Sequence, residues 1–169
     1  MTKVFGITGW KNSGKTTLVA ALITEFTSRG FVVNSVKHAH KNFQIDHEGT
    51  DSHRHRTSGA QEVAIVSKNR WAVVHEVGVS QTAPDIEQML SKMSTSDITI
   101  VEGFKGSTIP KIECIRAEAV KEDAIWRSSD SVVALATDHR IADCDLPQFS
   151  LDDVKDIADY IAQTTGLGR

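Results

Sequence analysis

The apolar positions of the first forty residues change period once. Val4 to Thr8, in KVFGITG, form an unbroken β-rich run ending in glycine, the pattern of a buried parallel strand. Beyond it Leu18, Val19, Leu22, Ile23 and Phe26 recur at helical spacing, and Gly30 stands where a helix would be closed. FVVNSVKH reads as a second strand, and a parallel return to the same sheet requires a right-handed crossover through that helix. The chain therefore opens as a βαβ unit.

The pattern breaks between His38 and Gly59, where the chain turns polar and histidine-rich; TDSHRHRTSG within it could form a short helix closed by Gly59. EVAIVSKNRWAVVHEV holds two β-rich runs around a polar SKNR, predicting an antiparallel hairpin added to the parallel core. In APDIEQMLSKM, Ile86, Met89, Leu90 and Met93 fall at helical spacing. DITIVEGF is a buried strand with Glu102 at its carboxyl end, and PKIECIRA and SVVALATD supply two more. SLDDVKDIADYIAQTTG reads as a closing helix, with Ser150 and Asp153 spaced as a capping box.

Composition narrows this without redirecting it. The 169 residues, 40% hydrophobic and 24% charged, suit one α/β domain spanning 1–169. A net charge of -3 gives no overall pull towards nucleic acid or an anionic membrane. Cys114 and Cys144 are far apart and outside any CxxC pattern, so buried reduced thiols are expected. The opening MTKVFGITGW does not read as a signal peptide and no apolar run reaches membrane-spanning length, so a cytoplasmic location is expected.

Candidate chemistry gathers in GWKNSGKTTL. Gly9, Gly14, Lys15 and Thr16 satisfy G-x-x-x-x-G-K-[ST], after a strand and before a helix, as that motif requires. Glycines let the backbone curl so that several N–H groups converge on a phosphate, and the helix start adds its positive end. Lys15 can reach the β- and γ-phosphates, and the Thr16 hydroxyl can ligate magnesium. A chance glycine-rich turn is the alternative. The fold class expected is α/β, a P-loop NTPase-type three-layer fold with a mostly parallel sheet and an antiparallel hairpin.

A phosphate loop needs an acid for the metal, and Glu102 emerges where an open sheet binds ligands; capping its strand or pairing with Lys105 is the plainer role. Asp46 and Asp51 could orient water or hold magnesium through water. His38, His40, His47, His53 and His55 cluster in or beside the same segment, which raises transition-metal binding, but Lys37, Lys41, Arg54 and Arg56 are interleaved with them. A basic surface for a phosphorylated ligand accounts for both residue types, and a solvated polar loop is the bland reading. No [NT]-K-x-D tetrapeptide reads guanine; Thr137 and Asp138 sit at a sheet edge suited to base or ribose contacts, or to an ordinary strand-end cap.

These segments together resemble one family, the molybdopterin-guanine dinucleotide biosynthesis protein B (MobB) family. The resemblance rests on GWKNSGKTTL, SVKHAH, FQIDHEGTDSHRHRTSGAQEVAIVS, IVEGFK and PKIECIR, from the first strand to about Arg116. It implies a GTP-binding protein with weak GTPase activity, usually dimeric, assisting a MobA nucleotidyltransferase that attaches GMP to molybdenum-bearing molybdopterin. Carried over by motif, Gly9, Trp10, Lys11, Asn12, Ser13, Gly14, Lys15, Thr16 and Thr17 would hold the triphosphate; Lys15 and Asp46 are the expected catalytic residues, Asp46 as the group that positions water. Thr16 and Glu102 would hold Mg2+, and the segment from Asp46 to Arg56 would respond to the γ-phosphate or meet the partner. The chain departs from the family's commoner pattern at EGTDS, where glycine and lysine would precede the aspartate and serine; Thr50 carries no charge there. Trp10 covers the nucleotide, faces a second subunit or fills space. Two other classes stay open: a nickel or zinc metallochaperone GTPase, from the histidines, and a small-molecule kinase or ATP-dependent ligase, since VEG also resembles dethiobiotin synthetase.

Overall fold

The computed structural model describes residues 2–39, 43–119 and 123–168. His40 and Lys41, drawn into the basic segment above, lie outside the described residues. The chain divides into two compact units, residues 1–38 with 93–169, and residues 39–92.

The larger unit is built on β1 (Lys3–Gly9), β2 (Val33–Lys37), β5 (Ile98–Glu102), β6 (Lys111–Ile115), β7 (Val132–Thr137) and β8 (Gln148–Ser150). They form one sheet in the order β2-β5-β1-β6-β7-β8, and every neighbouring pair is parallel. Both β5 and β6 are buried throughout, β5 as an apolar run ending in Glu102 and β6 with Lys111 and Glu113 buried among its apolar residues. Helices α1 (Lys15–Ser28) and α4 (Val154–Thr165) belong to one core cluster, meeting Phe5, Ile7, Ile98, Ile100 and Ile112 through Leu22, Phe26, Ile157 and Ile161. Each of these side chains is completely buried, contributing about 1.5–3 kcal/mol. Ile115 on β6 and Val132 and Leu135 on β7 form a second cluster with Ile125, Trp10 and Trp126. In this unit a 3-10 turn at Ile125–Arg127, within the 16 residues that separate Ile115 from Val132, belongs to that second cluster.

The smaller unit holds α2 (Asp51–Thr57), β3 (Glu62–Val66), β4 (Trp71–His75) and α3 (Ile86–Ser91). The expected short helix is α2, capped by Thr50, whose hydroxyl accepts from His53 N at 3.3 Å. The hairpin forms, but as a separate two-stranded sheet rather than an addition to the parallel core. Its face is not fully covered: Val66 is 77% and Trp71 71% exposed.

Two helix boundaries differ from expectation. The helix α3 stops at Ser91, short of Met93, and is fixed at its start by a reciprocal capping box between Asp85 and Gln88. At the C-terminus, Ser150 and Asp153 do not form the expected box. Ser150 ends β8 and its hydroxyl accepts from Asp152 N, so α4 starts only at Val154 without a side-chain cap. Strand β8 itself has a three-residue signal, too short for any periodicity to register.

Candidate functional site

The parallel register brings the ends of three strands together. Lys37 on β2 and Ile7 on β1 both stand opposite Glu102 on β5. The chain leaves β1 at Gly9 and curls through residues 10–14 into α1. Gly9 has φ +137°, and a Cβ there would lie 2.5 Å from the Cys114 carbonyl oxygen and 2.6 Å from Ser13 Oγ, so only glycine fits this close approach. Gly14, with φ 95°, precedes α1, and no side chain caps the helix start. The first N–H groups of α1 therefore point out of the helix without a side-chain acceptor, the arrangement that suits an anion.

Lys15 opens α1 and folds back over the loop, donating to the Trp10 carbonyl at 2.5 Å and to Ser13 Oγ at 3.4 Å. Burial holds its pKa below the usual lysine range. Thr16 donates its hydroxyl hydrogen to Glu102 Oε1 at 2.9 Å, and Lys37 Nζ lies 2.8 Å from the same oxygen and 3.4 Å from Thr16 Oγ1. Glu102 is buried, and its ion partner is Lys37 rather than the sequence neighbour Lys105 proposed for it. Lys105 instead places its ammonium 3.1 Å from the centre of the Trp10 ring.

The donor set tests the magnesium reading. A hydroxyl and a carboxylate oxygen are hard ligands of the kind magnesium takes. The Lys37 ammonium touches both, so a cation already sits at the point where a metal would be held. Thr16 and Glu102 therefore fit such an ion. Lys11, Asn12 and Thr17 are exposed on the loop and first helical turn, with Asn12 at φ 64°. Trp10 donates its indole N–H to the Asp123 carbonyl at 2.9 Å.

Behind the loop, Lys111 is fully buried at the start of β6. Its ammonium donates to the carbonyls of Phe104 (3.3 Å), Lys105 (3.1 Å) and Ser107 (2.6 Å) and to Ser107 Oγ (3.2 Å). Sequence reasoning passed over it, since a lysine at a strand start ordinarily marks an exposed edge. The Pro-Lys pair before an apolar run, following a glycine-bearing loop, is the one available hint. Cys114 is buried and its thiol is pushed up to about 12 by burial, so it is unreactive, as expected of a structural thiol.

Asp46 belongs to the smaller unit. It is buried, and Arg56 engages it, Nε at 3.0 Å from Oδ1 and 3.3 Å from Oδ2 and Nη2 at 3.0 Å from Oδ1. The Arg56 hydrogen bond holds the Asp46 carboxyl below its usual range, so it is ionised at neutral pH. Thr137 and Asp138 are taken up locally, Thr137 donating to the His139 carbonyl at 2.9 Å and Asp138 accepting from Ala117 N at 3.1 Å, the contacts of a strand-end cap. Among the described residues, no three histidine, cysteine or acidic side chains form a metal-binding group, and no helix is long and apolar enough to cross a membrane.

Comparison with known proteins gives one consistent result. The family model for molybdopterin guanine dinucleotide synthesis protein B, MobB, matches residues 4–138. A molybdopterin-guanine dinucleotide biosynthesis adapter protein of Haemophilus influenzae is 35% identical over 158 residues, 94% of this chain and 86% of that protein. The protein of the same name from Escherichia coli K12 is 31% identical, over 96% of this chain and 93% of its own. A crystal structure of a molybdopterin-guanine biosynthesis protein B superposes with a TM-score of 0.74 at 26% identity, covering 95% of this chain and 99% of that one. With its phosphate loop, its Thr16–Glu102 pair and these relatives along nearly its whole length, the chain belongs to the MobB family.

Proposed function

We propose that the protein is a GTP-binding adapter of molybdenum cofactor maturation in the cytoplasm, hydrolysing GTP weakly. In this role it assists a MobA-type nucleotidyltransferase that attaches GMP to molybdenum-bearing molybdopterin. The observation that carries the reading is the convergence of Lys15, Thr16, Lys37 and Glu102 at the carboxyl ends of β1, β2 and β5. Membership of the MobB family supports the pathway, and the relatives' shared description as adapters supports a role beside a partner enzyme.

In the proposed site the curled backbone of residues 9–14 and the start of α1 hold the triphosphate. Lys15 exchanges its bonds to Trp10 and Ser13 for phosphate oxygens. Magnesium held by Thr16 and Glu102 would neutralise charge on the β- and γ-phosphates. With the ion held there, Lys37 would give up its contacts to Thr16 and Glu102 and could meet phosphate itself. Asp46, kept ionised by Arg56, is proposed to orient the attacking water.

Equilibrium dialysis with labelled GTP, with and without magnesium and with ATP and GMP as competitors, tests the reading; absence of saturable GTP binding would remove it. Glu102→Gln should keep metal-free binding but lose the gain from magnesium, ~10–100-fold in affinity. If the variant responds to magnesium as the parent does, Glu102 is not the acid. Asp46→Asn should bind GTP normally and hydrolyse it ~100-fold more slowly in a phosphate-release assay, and equal turnover would take Asp46 out of the mechanism. A homodimer covering the exposed Val66, Trp71 and Val73 of the hairpin is part of the proposal. Light scattering that reports a monomer at every concentration would refute it.

A further inference from the structure

Directly after Glu102 the chain runs through two left-handed residues, Gly103 at φ 94° and Phe104 at φ 48°. Among the described residues, Asn12 in the phosphate loop is the other non-glycine with positive φ. Asparagine tolerates that region. A phenylalanine in it is strained, and such strain persists only where neighbouring groups hold it. The strained residue lies just past the carboxylate proposed to hold magnesium.

Part of the restraint comes from the neighbouring strand end. Lys37 and Glu102 are the last registered pair of β2 and β5. One residue further on, His38 N donates to the Glu102 carbonyl at 2.9 Å, and the His38 ring lies 4.6 Å, centroid to centroid, from the Phe104 ring at a tilt of 36°. Gly103 permits this approach, since a Cβ there would lie 3.0 Å from His38 Cβ. Gly103 N donates to the Ile7 carbonyl of β1 at 3.0 Å, and the Phe104 carbonyl accepts from Ser107 N at 3.0 Å and from Lys111 Nζ at 3.3 Å. The backbone after Glu102 is thus pinned to β1, to the 104–107 loop and, through one ring, to the end of β2. His38 is exposed and Phe104 half-buried, so their contact buries too little apolar surface to serve mainly as core. What it fixes is the separation of two strand ends beyond their last pair.

That separation matters most when the ion pair between the same strand ends is given up. Lys37 Nζ stands 2.8 Å from Glu102 Oε1, and magnesium on Glu102 and Thr16 would end that contact. We propose, resting on the magnesium reading of the proposed function, that His38 and Phe104 are positioning residues for the Glu102 carboxylate. Their stacked rings keep the ends of β2 and β5 in place once Lys37 has left, so that Glu102 and Thr16 meet the ion together. Neither ring touches nucleotide or metal in this role. Their effect is confined to the magnesium-bound state, because without the ion Lys37 holds Glu102 as well.

Equilibrium dialysis with labelled GTP, run with and without magnesium, reads the gain in affinity that the ion brings. Without magnesium, His38→Ala and Phe104→Leu should each bind GTP as the parent does; with it, each should lose ~10-fold of the gain, as groups that orient a metal ligand do. The double variant should lose no more than either single one, since the two rings act as one contact. His38→Phe, which keeps a ring and has no ionisable group, should keep the gain. Manganese titrated in magnesium's place and followed by paramagnetic resonance should show the same ~10-fold loss, read at the metal rather than the nucleotide. A pair with only a structural role would instead lower the denaturation midpoint and both affinities together. Because His38 is exposed, His38→Ala should keep the parent's midpoint, and it serves if Phe104→Leu does not fold. A full magnesium gain in His38→Ala, or a loss in His38→Phe equal to that in His38→Ala, overturns the inference. If the parent binds GTP with a magnesium gain that every variant keeps, the inference falls and the proposed function stands; a parent that binds no GTP removes both.

Discussion

Lys15→Ala is expected to lower GTP affinity by at least ~100-fold in equilibrium dialysis, because it removes the ammonium that folds back onto the phosphate loop. Its two present acceptors, the Trp10 carbonyl and Ser13 Oγ, are loop groups that water can satisfy, so the variant should fold. Far-UV circular dichroism matching the parent would establish that. The same ammonium gives a pH signature. Burial depresses the Lys15 pKa, so the charge that attracts phosphate is lost as pH rises through a point below the usual lysine range. GTP affinity should therefore decline in the parent as pH rises towards the lysine range, at a lower pH than for an ordinary lysine, and stay flat in the variant. Undiminished binding by Lys15→Ala would place the nucleotide elsewhere.

The second large effect concerns stability. Lys111→Met is expected to cost about 3 kcal/mol in chemical denaturation, since four oxygens of the 104–107 loop lose their shared donor inside the protein. Methionine keeps the volume of the aliphatic stem, so the loss reports the ammonium and not a cavity. That loop follows Glu102 directly and carries Lys105 to Trp10, so GTP affinity should fall alongside stability. A variant as stable as the parent would mean that the carbonyls find other donors. The sign of the linkage is fixed as well. Burial lowers the Lys111 pKa in the folded state, so between that value and the ordinary lysine pKa the unfolded chain binds more protons and the parent gains stability as pH rises. The methionine variant loses this slope.

The succession of strands and helices along the chain was readable, β8 apart, because most strands carry apolar runs and the longer helices keep their period, signals local to a few residues. The placement of the glycine-rich loop after β1 and of Glu102 at the end of β5 was readable for a related reason, since the motif requires fixed residue types at fixed distances from a strand end. What escaped depends on pairings across the chain. Lys37 and Glu102 are 65 residues apart and meet only through the β2–β5 register. Lys111 looks like an edge residue until the preceding loop closes over it. The Ser150–Asp153 spacing fits a capping box as sequence, yet Ser150 is drawn into β8 by pairing with Thr137. The hairpin's sequence predicts its two strands well, but nothing in it says which sheet they join. Glu113 and Trp126 gave no signal at all, because an acid in an apolar strand and a tryptophan in a polar stretch acquire meaning only when the 3-10 turn folds against β6.

The pairing of β1 has a consequence for the order in which the molecule comes into being. Although Gly9 to Thr17 are among the first residues synthesised, β1 sits between β5 and β6, with Lys3 opposite Ile98 and Gly6 opposite Lys111. The loop's supporting contact at the Cys114 carbonyl likewise comes from β6. A nascent chain leaving the ribosome thus carries the phosphate-binding segment unsupported for most of translation, and long-range parallel pairing of this kind is slow to form. On the proposed function, GTP would meet its loop only after the sheet has closed, so it would lock the fold rather than template it.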